Sequence, residues 1–150
     1  VNTLPLADGA TAAELRDWLD RFASCVRDVD YARARPFFHP DVLAFGTHRD
    51  VIAGLTQWQA VQWDNVWPRT SDFRFDMAAV RFLALGGMAV AVAPWTSTGY
   101  HQDGSAFERP GRATMVFRRE AEGWLCVHSH MSLNRGVPQA SFADRPVKAR

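Results

Sequence analysis

The chain has 150 residues, 47% of them hydrophobic and 22% charged, with a formal net charge of +1 at pH 7 when histidine is neutral. That length and balance describe a single globular domain rather than a disordered chain. The near-zero charge removes the electrostatic basis for nucleic-acid binding, which needs a basic face. No apolar run approaches the ~20 residues of a membrane span either.

The first element is an amphipathic helix. Thr11-Ala12-Ala13-Glu14 has the form of a capping box at its start. Leu15, Trp18, Leu19, Phe22, Val26 and Val29 then recur at helical spacing, opposite a face of arginines and aspartates. Asp30 is placed to cap a short second helix that Pro36 disturbs. Phe37 and Phe38 turn into the core, and His39-Pro40-Asp41 reads as a turn before a strand from Val42 to Thr47. A third helix is expected from about Asp50 to Asn65, with Leu55, Trp58 and Val61 inward and Trp67-Pro68 closing it.

Beyond that point the hydrophobic period changes to two. Phe73, Phe75 and Met77 alternate, then Val80, Phe82 and Ala84 on the opposite parity, which a bulge near Ala78-Ala79 would reconcile. Gly86-Gly87 is a hairpin signal before a long strand from Met88 to Tyr100. Asp103-Gly104 marks a turn, and Arg112–Arg119 and Trp124–Leu133 form a last hairpin. Cys25 and Cys126 have neither disulfide nor zinc-knuckle spacing and read as buried hydrophobes in a reducing, cytoplasmic setting. Val1 to Gly9 lacks the regions of a signal peptide. Helices first and long strands after give an α+β domain, its helices on one face of a conical, curved antiparallel sheet. The domain is expected over 1–136, with 137–150 a loosely ordered C-terminal extension.

The final hairpin, Gly111 to Arg119 and Trp124 to Ser132, resembles the R-x-T … W-x-x-V-H-x-H-x-S ending of SnoaL-like proteins, of the nuclear transport factor-2-like (cystatin-like, ketosteroid isomerase-like) fold. It is also similar to the end of the association domain of calcium/calmodulin-dependent kinase II. Asp30, Phe37-Phe38, His39-Pro40-Asp41, Phe45-Gly46 and Trp67-Pro68 extend the resemblance over roughly residues 11 to 136. It implies a small-molecule pocket and a homodimer through the outer sheet face. The isomerases carry an aspartate base where this chain has Leu43, so that activity does not transfer. The kinase hub has an arginine at the place of Met115.

Trp124, Cys126, His128, His130 and Ser132 alternate, so a regular strand puts them on one face, and Leu125, Val127, Met131 and Leu133 on the other. On that reading His128 and His130 are candidate proton carriers on the pocket wall, or else core histidines held by neighbouring groups. His128 and His130 with Cys126 suit zinc or copper as ligand types, but nothing completes the set, and no metal is expected. Arg112 can bind a carboxylate with its planar fork, or pair with Asp64 or Glu108; strand parity sets it and Thr114 away from the histidines unless a bulge intervenes. Trp58, Trp63, Trp67 and Trp95 fall in segments around the expected pocket and offer flat surfaces with one donor each, or else pack in the core, and Tyr100 and Ser132 offer a hydroxyl each. The expected ligand is a small apolar or cyclic molecule. The implied chemistry is isomerisation, cyclisation or dehydration without a cofactor; the alternative is a non-catalytic oligomerisation or binding module.

Overall fold

The computed structural model describes residues 3–46 and 50–142. Helix α1, Gly9–Asp28, buries Leu15, Trp18, Leu19, Phe22 and Val26, the apolar stripe of the sequence. Its start differs from the capping box. Asp8 is the N-cap, and its carboxylate accepts the Thr11 N–H at 2.7 Å. Glu14 instead accepts from the Trp124 Nε1 at 2.9 Å, 110 residues away, and pairs with Arg119 at 3.3 Å. The Asp30 carboxylate caps α2, Tyr31–Ala34, as the sequence indicates, accepting the Arg33 N–H at 3.0 Å.

Strand β1 runs Phe38–Phe45, so His39-Pro40-Asp41 is extended chain rather than a turn. Thr47, the expected strand end, lies outside the described residues. Residues Val51–Ala53, expected as helix, form β2 against β1. The third helical segment begins only at Leu55. It comprises α3 (Leu55–Trp58), a π-helical turn (Gln59–Trp63), α4 (Asp64–Val66) and a 3-10 turn (Trp67–Arg69).

The strands that follow are β3 (Ser71–Phe75), β4 (Arg81–Leu85), β5 (Met88–Tyr100), β6 (Ala106–Glu108), β7 (Gly111–Glu120) and β8 (Gly123–Leu133). A hydrogen-bonded turn from Asp76 to Val80, not a bulge, separates β3 from β4. Both then pair with β5.

The sheet order is β2-β1-β8-β7-β5-β3, with β4 and β6 also on β5. This corrects the expected conical, curved antiparallel sheet. β1 lies parallel to β8, so the sheet is mixed, and β2 and β3 end an open path in which they do not pair with each other. The α+β class and the N-terminal helices stand. Residue alternation reports which side of a strand is apolar; it carries no information on which distant strand lies alongside, or in which direction.

One face of the sheet packs under the helices. Ala44, Ala91, Ala93, Ala113, Met115, Phe117 and Cys126 are all 4% exposed or less there, in one core with the α1 stripe. The other face carries the half-exposed Leu43, Met88 and Val92. No described helix is long and apolar enough to cross a membrane.

Candidate functional site

Two single-residue insertions decide where the candidate residues point. The first is the π-helical turn at Gln59–Trp63. A regular α-helix would continue the inward face from Trp58 through Val61 or Gln62 to Asn65. The wider turn advances the phase by a residue. Trp63 and Trp67 therefore go inward, 1% and 5% exposed, while Val61 stays half-buried and Asn65 is exposed. The result is a row of rings. Trp58 and Trp63 lie 5.1 Å apart, Trp63 stacks on Trp67 at 4.5 Å, and Trp67 stacks on Tyr31 at 5.3 Å. The Trp58 Nε1 donates to the Gln62 Oε1 at 3.1 Å.

The second insertion is in β8. Phe117 pairs with Cys126 and Val116 with His128, so Val127 is an extra residue, a β-bulge. Everything after it changes face. Cys126 and Trp124 point to the core, but so do Ser129 and Met131, while His130 is exposed and His128 partly so. Met131 thus lines the interior rather than an outer interface. The thiol of Cys126 is inside, fully buried and pushed up by desolvation, on the opposite face from the histidines, so the three are not gathered as ligands. Among the described residues no three His, Cys, Asp or Glu side chains converge on a metal position.

The candidates consequently fall in three places. Trp58 and Trp95 line an interior cavity between the helices and the sheet, with Trp63, Trp67, Phe73 and Arg109. Its free space is about 30 Å³, close to one water molecule's share of liquid volume. His130, Arg112 and Ser132 border a shallow groove of about 390 Å³ on the outer sheet face, with Val92 and Pro94. His128 lies in the next row of that face, its Nδ1 2.7 Å from the Leu43 carbonyl. A carbonyl only accepts, so Nδ1 is the protonated nitrogen. Tyr100 is at the far end of β5, its hydroxyl 2.5 Å from the Ser71 Oγ.

Arg109 is the residue that sequence reading missed. It follows β6, where its backbone exchanges both hydrogen bonds with Ser97, at 2.9 and 3.0 Å. That pairing puts its side chain on the inner face beside Trp95, with the guanidinium 5.6 Å from the indole centroid. It is 3% exposed, and burial pushes its pKa down to about 10, so it stays charged at neutral pH. Its Nη1 donates to the Ser97 Oγ at 3.5 Å, and neither its Nε–H nor the Trp95 Nε1–H has a partner among the described residues. Arg109 also borders a larger cleft of about 510 Å³, with Val61, Val66, Arg69, Ser141 and Phe142. In the sequence, Glu108-Arg109-Pro110-Gly111 looks like a turn; only the Ser97 pairing turns the arginine inward.

Gly111 holds this corner open. A Cβ there would sit 2.1 Å from Cζ2 of Trp95 and 2.4 Å from the Ser132 carbonyl oxygen. Gly111→Ala is expected to cost about 1–3 kcal/mol of stability through overpacking. Urea unfolding would measure the loss, and the indole displacement would alter the near-ultraviolet circular dichroism.

The family model described as "SnoaL-like domain" matches residues 15–135. Among solved structures, an NTF2-like superfamily protein from Salmonella enterica serovar Typhimurium LT2 is 22% identical, with a TM-score of 0.72, covering 89% of this chain and 99% of that one. A candidate dehydratase of the NTF2-like family from Streptomyces avermitilis is 15% identical with a TM-score of 0.73, covering 87% and 100%. The association domain of C. elegans CaMKII is 15% identical with a TM-score of 0.66, covering 83% and 99%. At these identities the likeness is one of fold. No curated protein matches the chain.

Proposed function

The chain belongs to the SnoaL-like domain family, and from that premise we propose that it binds a small cyclic molecule at the tryptophan-lined cavity and the cleft adjoining it. The observation that carries this reading is the meeting of a stacked ring row with two unbonded buried donors, on Arg109 and Trp95. Apolar walls with a few convergent polar groups are the usual make-up of a ligand site. The inner cavity is too small for a ring as it stands, while the cleft, at about 510 Å³, is of ligand size. Val66 and Arg109 border both. The unit so defined is the domain over 1–136 with the start of the 137–150 extension, whose Ser141 and Phe142 edge the cleft. The two free buried thiols accord with a cytoplasmic location.

Among the described residues lining the cavity, Arg109 is the sole titratable group. General acid–base catalysis needs a group that exchanges protons near working pH, so the geometry favours binding over turnover. A test is native mass spectrometry of freshly purified protein, followed by melting curves against small ring acids, alcohols and amides. A non-covalent adduct, or a concentration-dependent rise in melting temperature, is the expected result. Neither appearing would remove the reading.

The outer face supports a second reading. Leu43, Met88 and Val92 are 42–49% exposed there, around His130, Arg112 and Ser132. A patch of this kind on a sheet suits a homodimer surface, and an acid–base role for His128 and His130 would have to act in the same groove. Val92→Asp is expected to shift sedimentation from dimer to monomer. A dimer that persists unchanged would place the contact elsewhere.

A further inference from the structure

We propose that the ligand is a small organic acid, and that the buried guanidinium of Arg109 binds its carboxylate. The proposal rests on the pocket reading above and names its ligand class.

A buried charge is retained where it is paired, because an unpaired one forgoes several kcal/mol of hydration with nothing in return. Arg109 is 97% buried by its exposure of 3%, yet the described carboxylates that form ion pairs (on Glu14, Asp17, Asp28, Asp30 and Glu120) all pair with other arginines. Its depressed pKa has burial as the one cause, with no neighbouring charge acting on it. Among the described residues, a cation is thus held in a dry place with no carboxylate paired to it. The position of that cation is also particular. It stands at the boundary of the cavity and the cleft, so a group in the cleft meets it directly.

The planar fork of a guanidinium matches the two oxygens of a carboxylate. One buried positive charge balances one negative charge, which favours a carboxylate over a phosphate dianion. Arg69 on the cleft rim is exposed and draws anions inward rather than neutralising them. The remainder of the ligand meets Val61, Val66 and Phe142, apolar surfaces that suit a hydrocarbon ring.

Phenylacetate and phenylacetamide make a matched probe pair, similar in shape and different in charge. Isothermal titration of the full chain is expected to show the acid binding at least about tenfold tighter, a difference of about 1.4 kcal/mol. Arg109→Gln is expected to abolish that preference while leaving circular dichroism unchanged. Arg109→Lys keeps the charge but loses the fork, and is expected to retain a reduced preference; it serves if the glutamine variant does not fold. Equal binding of both probes would overturn the carboxylate assignment and leave the pocket standing. A preference that survives in Arg109→Gln would place the anion at another cation. Binding of neither probe at millimolar concentration would overturn the pocket reading itself, and this proposal with it.

Discussion

Trp63→Ala is expected to lower the unfolding free energy by about 3–5 kcal/mol and the melting temperature by on the order of 10 °C. Trp63 is 1% exposed and lies at the centre of the ring row. It stacks on Trp67 and meets Trp58, Phe38 and Phe22 at 5.1, 5.4 and 6.4 Å. Removing the indole withdraws contacts from four aromatic neighbours at once. Those neighbours have little room to collapse, since Trp58 is tied to Gln62 and Phe38 is paired in the sheet. The cost is therefore both the lost transfer energy and a persisting cavity. Urea unfolding followed by circular dichroism measures it. Because an apolar cavity binds apolar guests, added indole should return part of the loss. A change below about 1 kcal/mol would mean that the ring row is not the packed centre described above.

The second large effect has the opposite sign. Arg109→Met is expected to stabilise the ligand-free protein by about 1–3 kcal/mol, since an isolated buried charge is replaced by a side chain of similar volume. Burial lowers the folded-state pKa of the guanidinium from its ordinary value to about 10. For a base shifted down, the folded state binds its proton less tightly than the unfolded state. The penalty is complete below pH about 10 and diminishes as pH rises through that value. The stability gap between Arg109→Met and the parent protein should narrow accordingly, while groups common to both cancel. A variant that is less stable than the parent at neutral pH would show that Arg109 is a structural partner of Ser97 and Trp95. Gain of stability with loss of binding is the usual mark of a site residue.

Several features were legible in the sequence for local reasons. The α1 stripe from Leu15 to Val29, the Asp30 cap, the Gly86-Gly87 hairpin and the long strand from Met88 to Tyr100 depend on patterns within a few residues, and the structure has them. The SnoaL-like resemblance rested on the last hairpin and was legible in the same way. Strand parity separated Arg112 from Met115 and Phe117, as the burial of β7 shows, but the expectation that it lies away from the histidines is corrected: the β8 bulge turns His130 and Ser132 onto the face of Arg112.

The candidate site was legible only in part, and the reason is the same at both points of failure. A period of two or 3.6 predicts a face only while no residue is inserted. One extra residue in the helix, at Gln59–Trp63, brought Trp63 and Trp67 inward. One in β8, at Val127, turned His128 and His130 out and Met131 in. Neither insertion has a local sequence signal, because each is stabilised by what it packs against: the ring row in one case and the β7 register in the other.

Sequence by itself determined the class, the family and the segments that bury apolar surface, since these follow from short-range periodicity and a local motif. Only the tertiary structure decided that the sheet is open and mixed, which tryptophans face one another, and that Arg109 is buried with no carboxylate partner among the described residues. Those depend on contacts between residues far apart in the chain, such as Arg109 with Ser97 and β1 with β8, which no pattern of neighbours along the sequence encodes.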